Sequence, residues 1–209
     1  MTGNFIKNLE KRLKQKLPGR ISQNRMAALR VPGLKPAPDP GKAAVLILIF
    51  PRKGELSTVL IKRTEYPGPH SGQISFPGGK AEKTDSSQIS TALREAAEET
   101  GIDSSQISVL GTLTPLYIPV SNLEVLPVVA YTAGEPDFII DRKEVEYLIH
   151  VPVMSLTGNI LKTEKKLCIN GITIEAPGYA VKDEFIWGAT AMILSEFTEI
   201  VSEVYMTIQ

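Results

Sequence analysis

Nine residues, Arg94-Glu95-Ala96-Ala97-Glu98-Glu99-Thr100-Gly101-Ile102, constrain this chain more than any other stretch. Glu95, Glu98 and Glu99 stand at i, i+3 and i+4, so on a helix they share one face. Ile89, Ala92, Leu93 and Ala96 form an apolar stripe on the opposite side. Asp85, Ser86 or Ser87 can cap the start, and Gly101 suits the left-handed position past the end. Two alanines on the packed side let the helix lie close to its neighbour. Like charges at these spacings cost roughly 0.2–0.5 kcal/mol per pair, and only Arg94 is near to offset them. The face is therefore either a solvated acidic surface or the seat of a hard divalent cation, which takes oxygen ligands.

The preceding loop favours the cation. Phe76-Pro77-Gly78-Gly79 follows a short strand pattern. Adjacent glycines permit positive φ or a close backbone approach, so such a turn can add a carbonyl ligand. At this point the segment resembles the Nudix box, Gly-x5-Glu-x7-Arg-Glu-U-x-Glu-Glu-x-Gly-U with U apolar. Arg94 to Ile102 follows the second half, with Ala96 at an apolar position. Counted from Gly79, Asp85 stands at the Glu position, and the gap to Arg94 is one residue longer than in the general box. That longer loop is similar to the coenzyme A pyrophosphatase branch. A second motif of that branch is met by Val59-Leu60-Ile61-Lys62-Arg63-Thr64, Gly68, Gly72 and Phe76-Pro77-Gly78-Gly79, with its spacing kept. Val59, Ile61 and Thr64 depart modestly. Gly68 replaces an arginine, which could have gripped a phosphate bidentately; that keeps ADP-ribose, dinucleotides and RNA caps open as substrates. The two motifs span Val59 to Ile102, and a looser likeness covers most of residues 42–195.

The resemblance implies an α/β Nudix fold: a mixed β-sheet in an α/β/α sandwich, with the box as a loop–helix–loop. It implies metal-dependent hydrolysis of a nucleoside-diphosphate-linked compound. For coenzyme A the products would be 3′,5′-ADP and 4′-phosphopantetheine. Mg²⁺ or Mn²⁺ would be held by Glu95, Glu98 and Glu99 with the Gly79 carbonyl. Glu95 or Glu144, the latter from a later loop, would take a proton from water, and Arg94 would orient a box glutamate. Arg63, Gly72 and Phe76 fall on the substrate side of the motif. A homodimer is common among such proteins. A nucleotide-sensing module without catalysis is the rival outside the enzyme class, and the complete box glutamates argue against it.

Charge is unevenly spread. Residues 1–42 hold ten Lys or Arg and two acids, so +8, and the remainder holds 13 and 21, so −8. Residues 1–40 are read as a basic helix and a Pro-rich linker, and 41–209 as the hydrolase domain. Asn4 to Leu17 has amphipathic spacing, with Ile6, Leu9 and Leu13 on one side; its apolar side is expected to pack on the acidic body. Nucleic acid is an unlikely partner, because no aromatics interleave the basic residues. PGLKPAPDP, from Pro32 to Pro40, reads as a stiff extended linker. One cysteine, Cys168, excludes an internal disulfide and fits a reducing, cytoplasmic compartment. No apolar run approaches a signal peptide or a membrane span.

Ala43 to Phe50 (AAVLILIF) predicts a strand buried on both faces, and Leu56 to Arg63 the next. Arg63 at a strand end is either an anion contact or solvated, and His70 in the following turn is either a phosphate contact or exposed. Ile107–Leu113 and Leu123–Tyr131 read as strands. The apolar loop Pro115–Asn122 between them could wall a substrate, with Tyr117 stacking on an adenine, or could be ordinary packing. Val151 to Leu156 predicts a short helix, Asn170-Gly171 a hairpin turn, and Phe185 to Phe197 an apolar helix with Trp187 in the core. Alternation of strands and helices agrees with an α/β architecture.

Overall fold

The computed structural model describes residues 2–28, 38–67, 70–158, 161–169 and 171–208. Gly68, Asn170 and most of the Pro-rich stretch lie outside the described residues.

The apolar run after Gly41 becomes strand β1 (Gly41–Arg52), the middle of a mixed sheet. Successive side chains of a strand point to opposite faces. Leu46, Leu48 and Phe50 therefore enter one core with helix α3 (Gln88–Thr100), through Ala92 and Ala96. Ile47 and Ile49 enter a second core with helices α1 (Thr2–Leu13) and α4 (Gly188–Thr207). The chain is thus the expected α/β/α sandwich. Strand β2 (Glu55–Arg63) runs antiparallel beside β1, and β7 (Leu123–Tyr131) runs parallel to it, from Gly41↔Leu123 to Ile49↔Tyr131. With β3 (Ile74–Ser75) and β5 (Ser108–Thr112) the order is β3-β2-β1-β7-β5. Three further strands attach: β4 (Gly78–Lys80) to β1, β6 (Leu116–Ile118) to β7 and β8 (Val145–Pro152) to β2. A separate antiparallel sheet holds β9 (Lys162–Ile169), β10 (Ile172–Val181) and β11 (Glu184–Trp187).

Helix α3 starts and stops on chemistry written in its ends. The Ser87 hydroxyl accepts from the Ser90 amide and the Ser90 hydroxyl accepts from the Ser87 amide, a reciprocal cap. Gly101, at φ 70°, closes the other end by donating to the Ala97 carbonyl.

Helix α1 buries Phe5, Ile6, Leu9 and Leu13, as its amphipathic spacing requires, and ends at Leu13 rather than Leu17. Gly111 of β5 makes room for it: a Cβ there would lie 2.9 Å from Leu13 Cβ. The chain beyond is tied down by Glu196 of α4, which is fully buried. Its carboxylate accepts from the Gly19 amide at 3.1 Å, Gln23 Nε2 at 2.8 Å and the Thr114 hydroxyl at 2.6 Å.

Three local expectations are corrected. Residues 185–197 are not one helix: Phe185 to Trp187 pair with β10, and Gly188 at φ 62° turns the chain into α4. Trp187 is accordingly a half-buried residue at the helix entrance, not a core residue. The segment Pro115–Asn122 is not irregular throughout, since it contains β6 and a 3₁₀ turn at Pro119–Ser121. Val153–Leu156 is likewise a single 3₁₀ turn.

Candidate active site

Pairing of β4 with β1 sets the double glycine beneath α3. Gly78 has φ 151°, and a Cβ there would sit 2.3 Å from the Ala44 carbonyl oxygen, so only glycine fits. At Gly79 a Cβ would lie 2.4 Å from Glu95 Oε2. The missing side chain is the space into which Glu95 folds.

Glu99 is the most enclosed of the box glutamates, with 2 % of its side chain exposed. Its Oε2 accepts from the Gly78 amide at 2.7 Å and its Oε1 from Arg63 Nη1 at 3.0 Å. Burial pushes its pKa up to about 7, against those two bonds, and the charges of Glu144 and Glu95 add to the rise. Glu95 is also raised, first by burial, with Arg94 opposing and Glu98 and Glu144 adding. Glu98 points outward, 59 % exposed, and accepts from Arg94 Nη1 at 2.9 Å.

Arg94 organises this face. It forks onto Asp85, Nε to Oδ1 at 3.0 Å and Nη2 to Oδ2 at 2.9 Å. It also donates to Glu95 at 3.1 Å and to the Lys80 carbonyl at 3.1 Å. The Arg94 fork holds the Asp85 carboxyl well below the usual carboxylate range. Sequence reasoning placed Arg94 beside a box glutamate but gave Asp85 only a capping role. The signal was present, because Asp85 occupies the box position where the general pattern has Glu.

Glu144 lies in the turn before β8, exposed, with its carbonyl accepting from the Thr64 amide. Its charge adds to the rise of both Glu95 and Glu99.

A cavity of about 440 Å³ opens against the same glycines. Arg63, His70, Gln73, Phe76, Gly78, Gly79 and Lys80 line it, with Ile118, Leu123, Val125, Ala189 and Ile193 as apolar wall. Its size suits a small organic ligand. Arg63 thus borders the cavity while bonded to Glu99. Phe76 is buried in the wall. Gly72 does not border the cavity; it turns at φ 63° beside Glu65. Tyr117 does not border it either. On β6 its neighbours Leu116 and Ile118 share the other face, and the Tyr117 hydroxyl donates to Asn122 Oδ1 at 3.0 Å.

The donor set suits a hard divalent cation: carboxylates that raise one another's pKa, beside a backbone that a Cβ would obstruct. Among the described residues no three His, Cys, Asp or Glu side chains already converge as a ligand cluster. Arg94 draws Glu98 outward and Arg63 holds Glu99.

The family model described as NUDIX domain matches residues 40–165. A Yersinia pestis (strain Pestoides F) protein named Uncharacterized Nudix hydrolase NudL is 37% identical over 161 residues, covering 77% of this chain and 80% of that protein. Two solved structures share the fold at a TM-score of 0.52 each. RenU, a Nudix hydrolase from M. smegmatis, is 18% identical, covering 81% of this chain and 88% of its own. A Nudix hydrolase from Nitrosomonas europaea is 14% identical, covering 81% and 74%. Nudix hydrolases generally use divalent metal cations. The box glutamates, the double glycine beneath them and these likenesses converge, and the chain belongs to the Nudix hydrolase family.

Proposed function

We propose that this chain is a Mg²⁺- or Mn²⁺-dependent pyrophosphohydrolase of a nucleoside-diphosphate-linked compound, with coenzyme A or its derivatives as substrate and 3′,5′-ADP and 4′-phosphopantetheine as products. One observation carries the chemistry: Glu99 accepts from the Gly78 amide at 2.7 Å and Glu95 fills the space over Gly79, so two box carboxylates sit on the double glycine where the cavity opens. The Val59–Gly79 motif supports the choice of coenzyme A, and Gly68, where that motif has arginine, weighs against it.

A cation held by Glu95, Glu98, Glu99 and the Gly79 carbonyl would supply neutralisation of the diphosphate and a more acidic water. The chain's own groups do the rest. Arg94 and Asp85 fix the orientation of Glu95. Arg63 and the Gly78 amide hold Glu99 in place. Glu144, exposed and near both, has room to accept the proton of the attacking water.

The test is product analysis by phosphorus NMR or mass spectrometry, with Mg²⁺ and then Mn²⁺, on coenzyme A, ADP-ribose and NADH. Preferred release of 3′,5′-ADP from coenzyme A supports the full reading. Preferred cleavage of ADP-ribose keeps the chemistry and moves the substrate. Binding without cleavage of any of the three would make this a nucleotide sensor.

A further inference from the structure

Thr64 stands where three parts of the site meet. It follows Arg63, which borders the cavity and bonds to Glu99. Its amide donates to the Glu144 carbonyl at 3.0 Å, and its hydroxyl donates to the Lys143 carbonyl at 2.8 Å. Its own carbonyl accepts from the Gly72 amide at 3.3 Å, which ties in the loop that brings His70 and Gln73 to the cavity.

The turn that Thr64 grips is built on Asp141. The Asp141 carbonyl accepts from the Glu144 amide at 3.1 Å and the Val145 amide at 2.8 Å, and its Oδ1 accepts from the Lys143 amide at 2.9 Å. An Asp side chain bonded to the amide two residues on keeps such a turn compact. The other side of the turn hangs from the end of α3. The Ile139 amide donates to the Thr100 carbonyl at 2.9 Å, and the Asp141 amide donates to the Glu99 carbonyl at 3.0 Å. Both carbonyls lie in the last helical turn, where no donor of the helix itself remains. Gly101 permits this approach, because a Cβ there would lie 2.6 Å from the Ile139 carbonyl oxygen.

A circuit closes in this way. Arg63 holds the Glu99 side chain, the Glu99 carbonyl holds Asp141, the Asp141 turn carries Glu144, and Glu144 is bonded back to Thr64 beside Arg63. Within the circuit the β2–β8 ladder slips by one residue, Lys62 facing Tyr147 and Arg63 facing Val145. Bulges of this kind re-aim side chains and recur beside active sites. The skipped residue is Glu146, whose carbonyl accepts from Arg142 Nη1 at 3.2 Å. The backbone that seats Glu99 therefore also seats Glu144, whose charge adds to the pKa rise of both Glu95 and Glu99.

Resting on the pyrophosphohydrolase reading, we propose that Thr64 is a positioning residue. By holding the Lys143 and Glu144 carbonyls it sets where the Glu144 carboxylate stands relative to Glu99, and so the rate of the bond-breaking step. Thr64 does not itself border the cavity, so its hydroxyl acts on kcat and not on substrate affinity. The hydroxyl bond lies at the surface, where one hydrogen bond adds little to stability. A reacting group displaced by about 1 Å loses far more in rate.

The experiment measures kcat, KM and Tm of wild type, Thr64→Val, Thr64→Ser, Glu144→Gln and the double variant Thr64→Val/Glu144→Gln. The substrate is whichever of coenzyme A, ADP-ribose and NADH is cleaved fastest. Valine keeps the shape and removes the hydroxyl. It is expected to lower kcat about 10-fold, with KM within about 2-fold of wild type and Tm close to it. Serine, which keeps the hydroxyl, should restore kcat. In the Glu144→Gln background valine should cost nothing further, since the group it positions is gone. A kcat unchanged by valine would overturn the inference. So would an equal loss in both backgrounds, which would make Thr64 act through another group. A fall in kcat joined to a raised KM and a lowered Tm, the mark of a loosened fold, also overturns it. Wild-type kcat in Glu144→Gln overturns it too, while the pyrophosphohydrolase reading stands. If wild type cleaves none of the three even with Mn²⁺, that reading fails, and affinity for Mn²⁺ alone, by electron paramagnetic resonance, decides Thr64 separately. Weaker binding in Thr64→Val and in Glu144→Gln, with no further loss in the double variant, upholds the positioning. Affinity equal to wild type, or additive losses, overturns it.

Discussion

Glu99 shows how a single side chain is set up by its surroundings. Its folded pKa, pushed up to about 7, lies above the ordinary glutamate value because burial outweighs its two hydrogen bonds. A carboxyl raised in this way contributes stability that is present below the unfolded value and is lost as pH rises through about 7. Metal-free Glu99→Gln has no such group to ionise. The Tm difference between variant and wild type, both in chelator, should therefore move in the variant's favour from pH 5 to pH 8. Circular dichroism melts check this, and a difference independent of pH would place Glu99 at an ordinary carboxyl value. Glu98 behaves oppositely: it is exposed and bonds to Arg94 at the surface. Glu98→Gln should cut turnover by orders of magnitude while the Tm stays near wild type, and near-normal turnover would remove it from the ligand set. Gly79→Ala should also lower turnover, because the added methyl would meet the Glu95 carboxylate at 2.4 Å. The backbone at Gly79, unlike that at Gly78, accepts a side chain, so folding should survive and circular dichroism should be unchanged.

At the level of elements, the parts legible in the sequence were those whose cause is local. Helix α3, its Ser87 cap, its Gly101 stop and its acidic face follow from spacings of three and four residues. Strand β1 follows from an unbroken apolar run. Glu196 was not legible, since it sits within an apolar helix and its donors lie 82 to 177 residues away. Trp187 misled because an apolar window spans both β11 and the start of α4, and only Gly188 marks the break. Glu196→Ala should destabilise the fold by about 3 kcal/mol, because it strands buried donors of Gly19, Gln23 and Thr114. Urea unfolding measures it, and a loss under half a kilocalorie would mean that water replaces the carboxylate.

For the whole molecule, the basic N-terminal segment is part of the sandwich. Phe5, Ile6, Leu9, Leu13 and Met26 all join the core shared with α4. Deleting residues 2–26 should therefore give an aggregating or unfolded chain rather than a trimmed, active one. Size-exclusion chromatography decides this, and an active monomer after truncation would show the helix to be dispensable. No helix among the described residues is long and apolar enough to cross a membrane.

The sheet separates two cores, and the two halves of the site rest on different ones. Ala92 and Ala96, on the helix that carries the glutamates, belong to one core. Ile74, Phe76 and Ile193, which shape the cavity, belong to the other. Descendants of such a gene can change what they hydrolyse through substitutions on one side of the sheet while the bond-breaking apparatus on the other side is inherited intact. A lineage built on this plan diversifies by re-lining a room, not by rebuilding the tool at its door.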